Sequence, residues 1–253
     1  MLATGLQTLS TLEGRGVRCT WLHSASALSA EMMARVGWDC LVVDLQHSVT
    51  GYAEAVSLLQ VTTNLGAIVL VRPPGLDPAL IGRLLDAGAS GVICPMISTP
   101  GEAQALVAAC RYPPQGGRSI GPIRARLLFG DAYVAQANDG VLAFAMIETA
   151  AGLDAVEDIA RVSGLGGLFA GPNDIASSLG VAPRLDPTDS AVTAALRRIA
   201  GAAGAAGIVA GIACETVAYV RLMHADGFRL FVVGSDVRLM VAGARDLLQE
   251  LGA

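Results

Sequence analysis

The chain has 253 residues, 53% of them hydrophobic and 15% charged, with a net charge of −5. One α/β barrel commonly fills that length as a single domain, and so little charge leaves too few polar side chains to cover a lone subunit, so an assembly is expected. The acidic balance without a basic run argues against nucleic acid or an anionic membrane as partner, and apolar stretches such as 202–213 fall short of a membrane span.

Short apolar runs alternate with helical patterns along the whole sequence. The start lacks a basic and an apolar signal region, so no secretory leader is expected. The first run, 18–22, leads to His23. The second, 40–44, ends in Asp44-Leu45-Gln46-His47. The third, 67–72, ends in Val71-Arg72-Pro73-Pro74 and precedes a helix over 78–87. A fourth, 91–95, is followed by a helix over 102–110 and then by an irregular segment, 111–131, rich in Pro, Gly and Arg; such loops are usually functional. The fifth run, 142–148, ends in Met146-Ile147-Glu148-Thr149 before a helix over 152–162. The sixth, 167–170, leads into Gly171-Pro172-Asn173-Asp174. Helices over 192–203, 217–225 and 237–251 then alternate with runs at 208–213 and 229–233. Runs without alternation suit strands covered on both faces. About eight strand–helix repeats with no linker predict a single (β/α)₈ TIM barrel over residues 1–253.

All 17 basic residues are arginine, so Schiff-base catalysis, lysine-anchored pyridoxal phosphate and the lysine-bearing phosphate loop are excluded. The five cysteines (19, 40, 94, 110 and 214) show neither zinc-site nor disulfide spacing, which fits buried thiols in a reducing cytoplasm.

In a barrel, chemistry comes from the carboxyl ends of the strands. Four strands end in ionisable residues. Glu148 and Asp174 lie 26 positions apart, about one repeat, which puts them on neighbouring strands, about 4.8 Å apart before splay. Alone, each would serve as a helix-terminus acid. Together they repel unless a cation lies between them, which favours a hard divalent metal with open positions for water and substrate. His47, three residues from Asp44, is placed to act as a base; His23 is a weaker candidate, and His224 reads as structural. Arg72 ends an apolar strand and needs an anionic partner: either Asp44 or Asp86 in an ion pair, or a substrate carboxylate or oxyanion.

With these motifs in order, the chain resembles the HpcH/HpaI aldolases, the metal-dependent enzymes that cleave 4-hydroxy-2-oxo acids. The resemblance runs from Trp21 to about Arg238 and includes Leu84-Leu85-Asp86-Ala87-Gly88-Ala89, Pro95-Met96 and Arg111-Tyr112-Pro113-Pro114 beside the strand ends above. It implies that Glu148 and Asp174 ligate Mg²⁺, Mn²⁺ or Co²⁺, that His47 is the acid/base with Asp86 raising its basicity, and that Arg72 stabilises an enolate. It also implies that the backbone near Asn173 contacts the substrate carboxylate, that the 111–121 loop closes one side of the site, and that subunits assemble as hexamers or trimers with exchanged C-terminal helices. The implied substrates are a 2-oxo acid, pyruvate or hydroxypyruvate, and an aldehyde. Three positions depart from the family: Met146 replaces a substrate-touching glutamine, Gln46 a glutamate and Asn173 an alanine. The competing readings are an acyl-CoA lyase of the citrate-lyase β type, for which Arg124 and Arg126 would contact phosphate, and a non-catalytic metabolite-binding barrel.

Overall fold

The computed structural model describes residues 14–252. Eight parallel strands close into a barrel in sequence order. The first half runs β1 (Val17–Leu22), α1 (Ala27–Arg35), β2 (Cys40–Asp44), α2 (Tyr52–Asn64), β3 (Ile68–Arg72), α3 (Pro78–Asp86), β4 (Gly91–Cys94), α4 (Pro100–Cys110), α5 (Ile123–Phe129) and α6 (Tyr133–Gly140). The second half runs β5 (Leu142–Ile147), α7 (Ala150–Asp154), α8 (Val156–Ala160), β6 (Gly167–Ala170), α9 (Pro172–Ser178), α10 (Ser190–Ala205), β7 (Val209–Cys214), α11 (Val217–Ala225), β8 (Leu230–Ser235) and α12 (Asp236–Glu250).

The predicted barrel is therefore observed, and its strands are buried on both faces for a visible reason. One set of side chains, including Cys19, Trp21, Val42, Leu70, Ile93, Phe144, Met146, Phe169 and Val232, packs inside the barrel. The alternate set, including Leu22, Val43, Val71, Cys94, Ile147 and Ala170, packs outward with the helices. Large interior side chains need small neighbours: a Cβ on Gly167 would lie 2.4 Å from Phe144 Cε1, and one on Gly211 2.7 Å from Phe169 Cδ2. Successive strand residues face opposite sides, so the interior parity of Trp21, Val42, Leu70, Met146 and Phe169 continues to His23, Asp44, Arg72, Glu148 and Gly171. Period two aims all of these at the carboxyl-end mouth.

Two local readings change. The segment 111–131 holds a helix, α5, in its second half, and the helix read over 152–162 is two short helices broken at Ala155. Helices of a barrel return antiparallel to the strands, so residues 111–121, which follow the end of α4, belong to the amino-end face. None of them lines the cavity described below. The loop is instead anchored internally: Tyr112 and Asn138 exchange hydrogen bonds of 2.7 and 3.0 Å, and the buried Arg118 guanidinium lies 4.5 Å over the Tyr112 ring. All five cysteines are buried and free, and no helix of the described residues is long and apolar enough to cross a membrane.

Candidate active site

A cavity of about 380 Å³ opens at the carboxyl end of the barrel. Trp21 and His23 from the end of β1, His47 after β2, Arg72 of β3, Met146 of β5 and Gly171 to Asp174 after β6 line it. Thus five sequence-predicted residues (His47, Arg72, Met146, Asn173 and Asp174) share one cavity.

Glu148 follows β5 and is 2% exposed. It is not a helix cap, because the adjacent Thr149 hydroxyl accepts from Gly152 N–H (2.9 Å) and caps α7. Its Oε1 accepts instead from the Met96 N–H at 2.7 Å, on a residue held at φ +61. Its Oε2 lies against the space above Gly171, where a Cβ would come within 2.7 Å. Burial pushes the Glu148 carboxyl up to about 7, and the charge of Asp174 pushes the same way, against the Met96 N–H and the Arg72 charge. Asp174 sits in the first turn of α9, so it is both a helix-start acid and a cavity residue.

Arg72 meets Asp44 as the ion-pair reading anticipated. Its Nε and Nη2 donate to Asp44 Oδ1 and Oδ2 at 2.8 and 2.7 Å, and its guanidinium lies 4.1 Å over the Trp21 ring. Asp44 is fully buried and also accepts from the N–H groups of Gln46 (3.0 Å) and His47 (3.3 Å). Burial alone would raise its carboxyl; the contacts from His23, Arg72 and the Gln46 N–H outweigh this and hold it well below the usual carboxylate range. Arg72 is thus a fixed cavity-lining cation whose Nη1 stands outside this fork, and not a free one.

Asp86 is not brought to His47 within one chain. It ends α3, near the amino-end face, and its carboxylate accepts from Arg118 Nη2 at 2.6 Å. The carboxylate that does touch the His47 segment is Asp44. Arg124 is likewise engaged structurally, donating to the carbonyls of Ala87 and Leu59 and to Thr63 Oγ1, and Arg126 pairs with Asp131. His224 packs on Phe231 with ring centroids 6.0 Å apart, as a structural histidine should.

The far side of the cavity went unread in the sequence. Leu185, Asp186, Glu215 and Arg238 line it. Asp186 accepts from the Glu215 N–H, the Thr216 N–H and the Thr216 hydroxyl (2.7, 2.8 and 2.6 Å), which pins the loop after α9 to the end of β7. Arg238 pairs with Glu215 at 2.6 Å. Strand parity was available for Glu215 or Ala213, but nothing local announces that the 179–189 loop folds over the mouth.

The sequence pattern shared by the HpcH/HpaI aldolase/citrate lyase family matches residues 18–242. The chain belongs to this family. It is 39% identical over 241 residues to the hydroxypyruvate/pyruvate aldolase of Rhizorhabdus wittichii, covering 95% of this chain and 96% of that one. It is 33% identical to the 4-hydroxy-2-oxo-heptane-1,7-dioate aldolase of Salmonella dublin, covering 92% and 89%. The crystal structure of an HpcH/HpaI aldolase/citrate lyase family protein from Burkholderia cenocepacia superimposes with a TM-score of 0.90 at 31% identity, covering 98% and 99%. As a member of the HpcH/HpaI family with aldolase relatives along nearly its whole length, the protein is a carbon–carbon lyase.

The donor set fits a hard divalent ion in an open site. Asp174 lines the cavity, and Glu148 is buried behind its wall against Gly171; a cation beside a buried carboxyl that burial pushes up to about 7 would stabilise its anion. Among the described residues no cluster of three His, Cys, Asp or Glu side chains forms a closed cage. Two carboxylate ligands would leave the remaining positions of such an ion open to water and other ligands.

Proposed function

We propose that the protein is a divalent-metal-dependent aldolase. It makes or cleaves the carbon–carbon bond between the enolate of a 2-oxo acid, pyruvate or hydroxypyruvate, and an aldehyde. The observation that carries this reading is the placement of buried Glu148 after β5 and of Asp174 after β6, on paired strands at the mouth that Arg72 and His47 also line. Glu148 and Asp174 would hold Mg²⁺, Mn²⁺ or Co²⁺, which when bound supplies the Lewis acidity that acidifies the C–H next to the keto group.

The chain's own groups do the rest. Arg72, immobilised by Asp44 and Trp21, presents Nη1 to the oxygen on which enolate charge develops; a donor fixed in advance needs no reorganisation during the reaction. The backbone around Asn173 contacts the donor carboxylate. His47 removes the proton from the donor carbon and returns it in the reverse direction. Met146 offers a thioether and no hydrogen-bond donor to the cavity, which shifts substrate preference without touching the acid/base groups. Asp86 acts on proton transfer only if a second copy of the chain carries it to the cavity. Such an assembly is part of the proposal: α12 buries only Asp236 while Leu239, Met240, Leu247 and Leu248 stand exposed along it, which suits a hexamer or trimer with exchanged C-terminal helices. Five buried thiols suit a reducing cytoplasm.

Deuterium exchange into the methyl group of pyruvate, read by NMR with added Mn²⁺ and with EDTA, tests this without an acceptor. Exchange should require the metal. Equal exchange in EDTA, or none with metal present, refutes the reading.

A further inference from the structure

Two imidazoles line the cavity, and the structure treats them differently. His47 reaches Asp44 only through its backbone N–H. Among the described residues, His23 is the histidine whose ring lies within ion-pair range of a carboxylate: its buried Nε2 is 3.2 Å from Asp44 Oδ2, close but not aligned for a hydrogen bond. The rest of His23 is fixed as well. Its ring stacks on Trp21 with centroids 6.0 Å apart and planes at 22°. Its backbone N–H donates to Asp236 Oδ1 at 2.8 Å, and Asp236, 5% exposed, also accepts from the hydroxyls of Ser24 and Ser29. Among the described residues Nδ1 has no hydrogen-bond partner and is not one of the buried unpaired atoms. A carboxylate at one ring nitrogen sets the tautomer and leaves the other nitrogen as a base.

Position in the ring of strands says what that nitrogen faces. β1 lies four strands from β5 in the closed barrel, so His23 stands across the mouth from Glu148. The proposed donor subsite occupies the β5–β6 side. The carbon that carries the acceptor oxygen is two bonds beyond the keto carbon, so with the donor held on that side it would extend toward β1. The charged groups around His23 are Asp44 of β2 and Arg72 of β3, Asp236 at the start of α12 on its backbone N–H, and the Glu215–Arg238 pair beside the end of β7. That pair is internally neutralised, and Asp44 is matched by Arg72.

We propose that His23, oriented by Asp44, is the acid/base for the acceptor oxygen, while His47 serves the donor carbon; this rests on the aldolase reading above. In cleavage, neutral Nδ1 takes the proton of the 4-hydroxyl as the C3–C4 bond breaks. The C4–O pair becomes the aldehyde carbonyl, and the electrons of the broken bond enter the enolate of the 2-oxo acid. His47 then delivers a proton to C3, and the His23 imidazolium releases its own to solvent. Synthesis runs the same transfers backwards.

The test compares His23→Gln and His23→Ala in Mn²⁺-loaded protein. A glutamine amide can keep a donor on Asp44 but has no titratable proton, so it separates acid/base work from positioning. Cleavage of 4-hydroxy-2-oxobutanoate and deuterium exchange into pyruvate are measured on the same preparations, with thermal unfolding as a check on folding. In both variants cleavage kcat should fall about 100-fold, at least tenfold further than exchange, and the pH profile of cleavage should lose one ionisation. Cleavage restored by glutamine, or cleavage and exchange falling in equal ratio, overturns the proposal. Failure of the wild type to exchange overturns the aldolase reading itself, and this proposal with it.

Discussion

Replacing Gly171 with alanine perturbs the wall beside the proposed metal site without straining the backbone. Gly171 sits at φ −102, ψ 87, which lies outside the left-handed region. The difficulty is space. An added Cβ would lie 2.7 Å from Glu148 Oε2, 2.8 Å from Met146 Cε and 3.1 Å from Glu148 Cβ, where ordinary contact begins near 3.4 Å. The carboxylate oxygen must therefore retreat by about 0.7 Å, while ligand distances in a metal site tolerate only about 0.2 Å. Met146 and the Glu148 head group are flexible ends, so the cost in stability should be that of modest overpacking, about 1–3 kcal/mol. Displacing the ligand should cost more in function: about 10–100-fold in Mn²⁺ affinity, the range seen when a ligand's support is lost. Calorimetric Mn²⁺ titration and thermal unfolding of the metal-free protein read the two effects separately. Wild-type Mn²⁺ affinity together with a lowered Tm would refute the reasoning, since the glycine would then serve only to make room for Met146.

Three further outcomes follow from the same geometry. In the metal-free protein Glu148 folds with its carboxyl raised to about 7 from an ordinary value of 4.5, so between these pH values the unfolded chain binds fewer protons and stability falls as pH rises. Thermal unfolding across that window should show a decline that Glu148→Gln flattens, and parallel curves would count against it. Arg72→Lys replaces a two-bond fork at 2.8 and 2.7 Å by a point charge; urea unfolding should show a loss of about 1–3 kcal/mol, and pyruvate exchange should fall at least tenfold, with wild-type exchange contradicting the role given to Nη1. Met146→Gln places an amide at a cavity position now 2% exposed; it should reorder kcat/KM among aldehyde acceptors, and an unchanged ranking would remove Met146 from specificity.

The barrel was legible because its strands carry no alternation, which only two-sided burial allows, and because turn residues punctuate each repeat. The β-strand parity that aims Asp44, Arg72 and Glu148 inward was legible too. What the sequence hid is longer in range. Asp44 was read as a neighbour of His47 or a partner of Arg72, and it is both, but its contact with His23 requires β1 and β2 to lie side by side in register. The Met96 N–H reaches Glu148 only through a left-handed residue for which Pro95-Met96 gives no local signal. Asp86 was given a role beside His47 that chain topology denies within one subunit, because a helix returning from β3 carries its last residue to the opposite face.

Two buried carboxylates share this mouth, and their surroundings drive them in opposite directions. Asp44 receives two bonds from Arg72 and N–H groups from its own turn, so its negative charge is already matched and its carboxyl is held low. A cation arriving there would have to displace a guanidinium held by two short bonds and a tryptophan face. Glu148 receives one backbone N–H, is buried as deeply, and faces a second carboxylate across the strand pair. Its charge is unmatched by anything the chain itself supplies nearby except the field of Arg72. Separated values of this kind favour different roles: Asp44 is the matched anion that holds Arg72, and under the proposed function Glu148 would be the anion that a bound divalent ion completes.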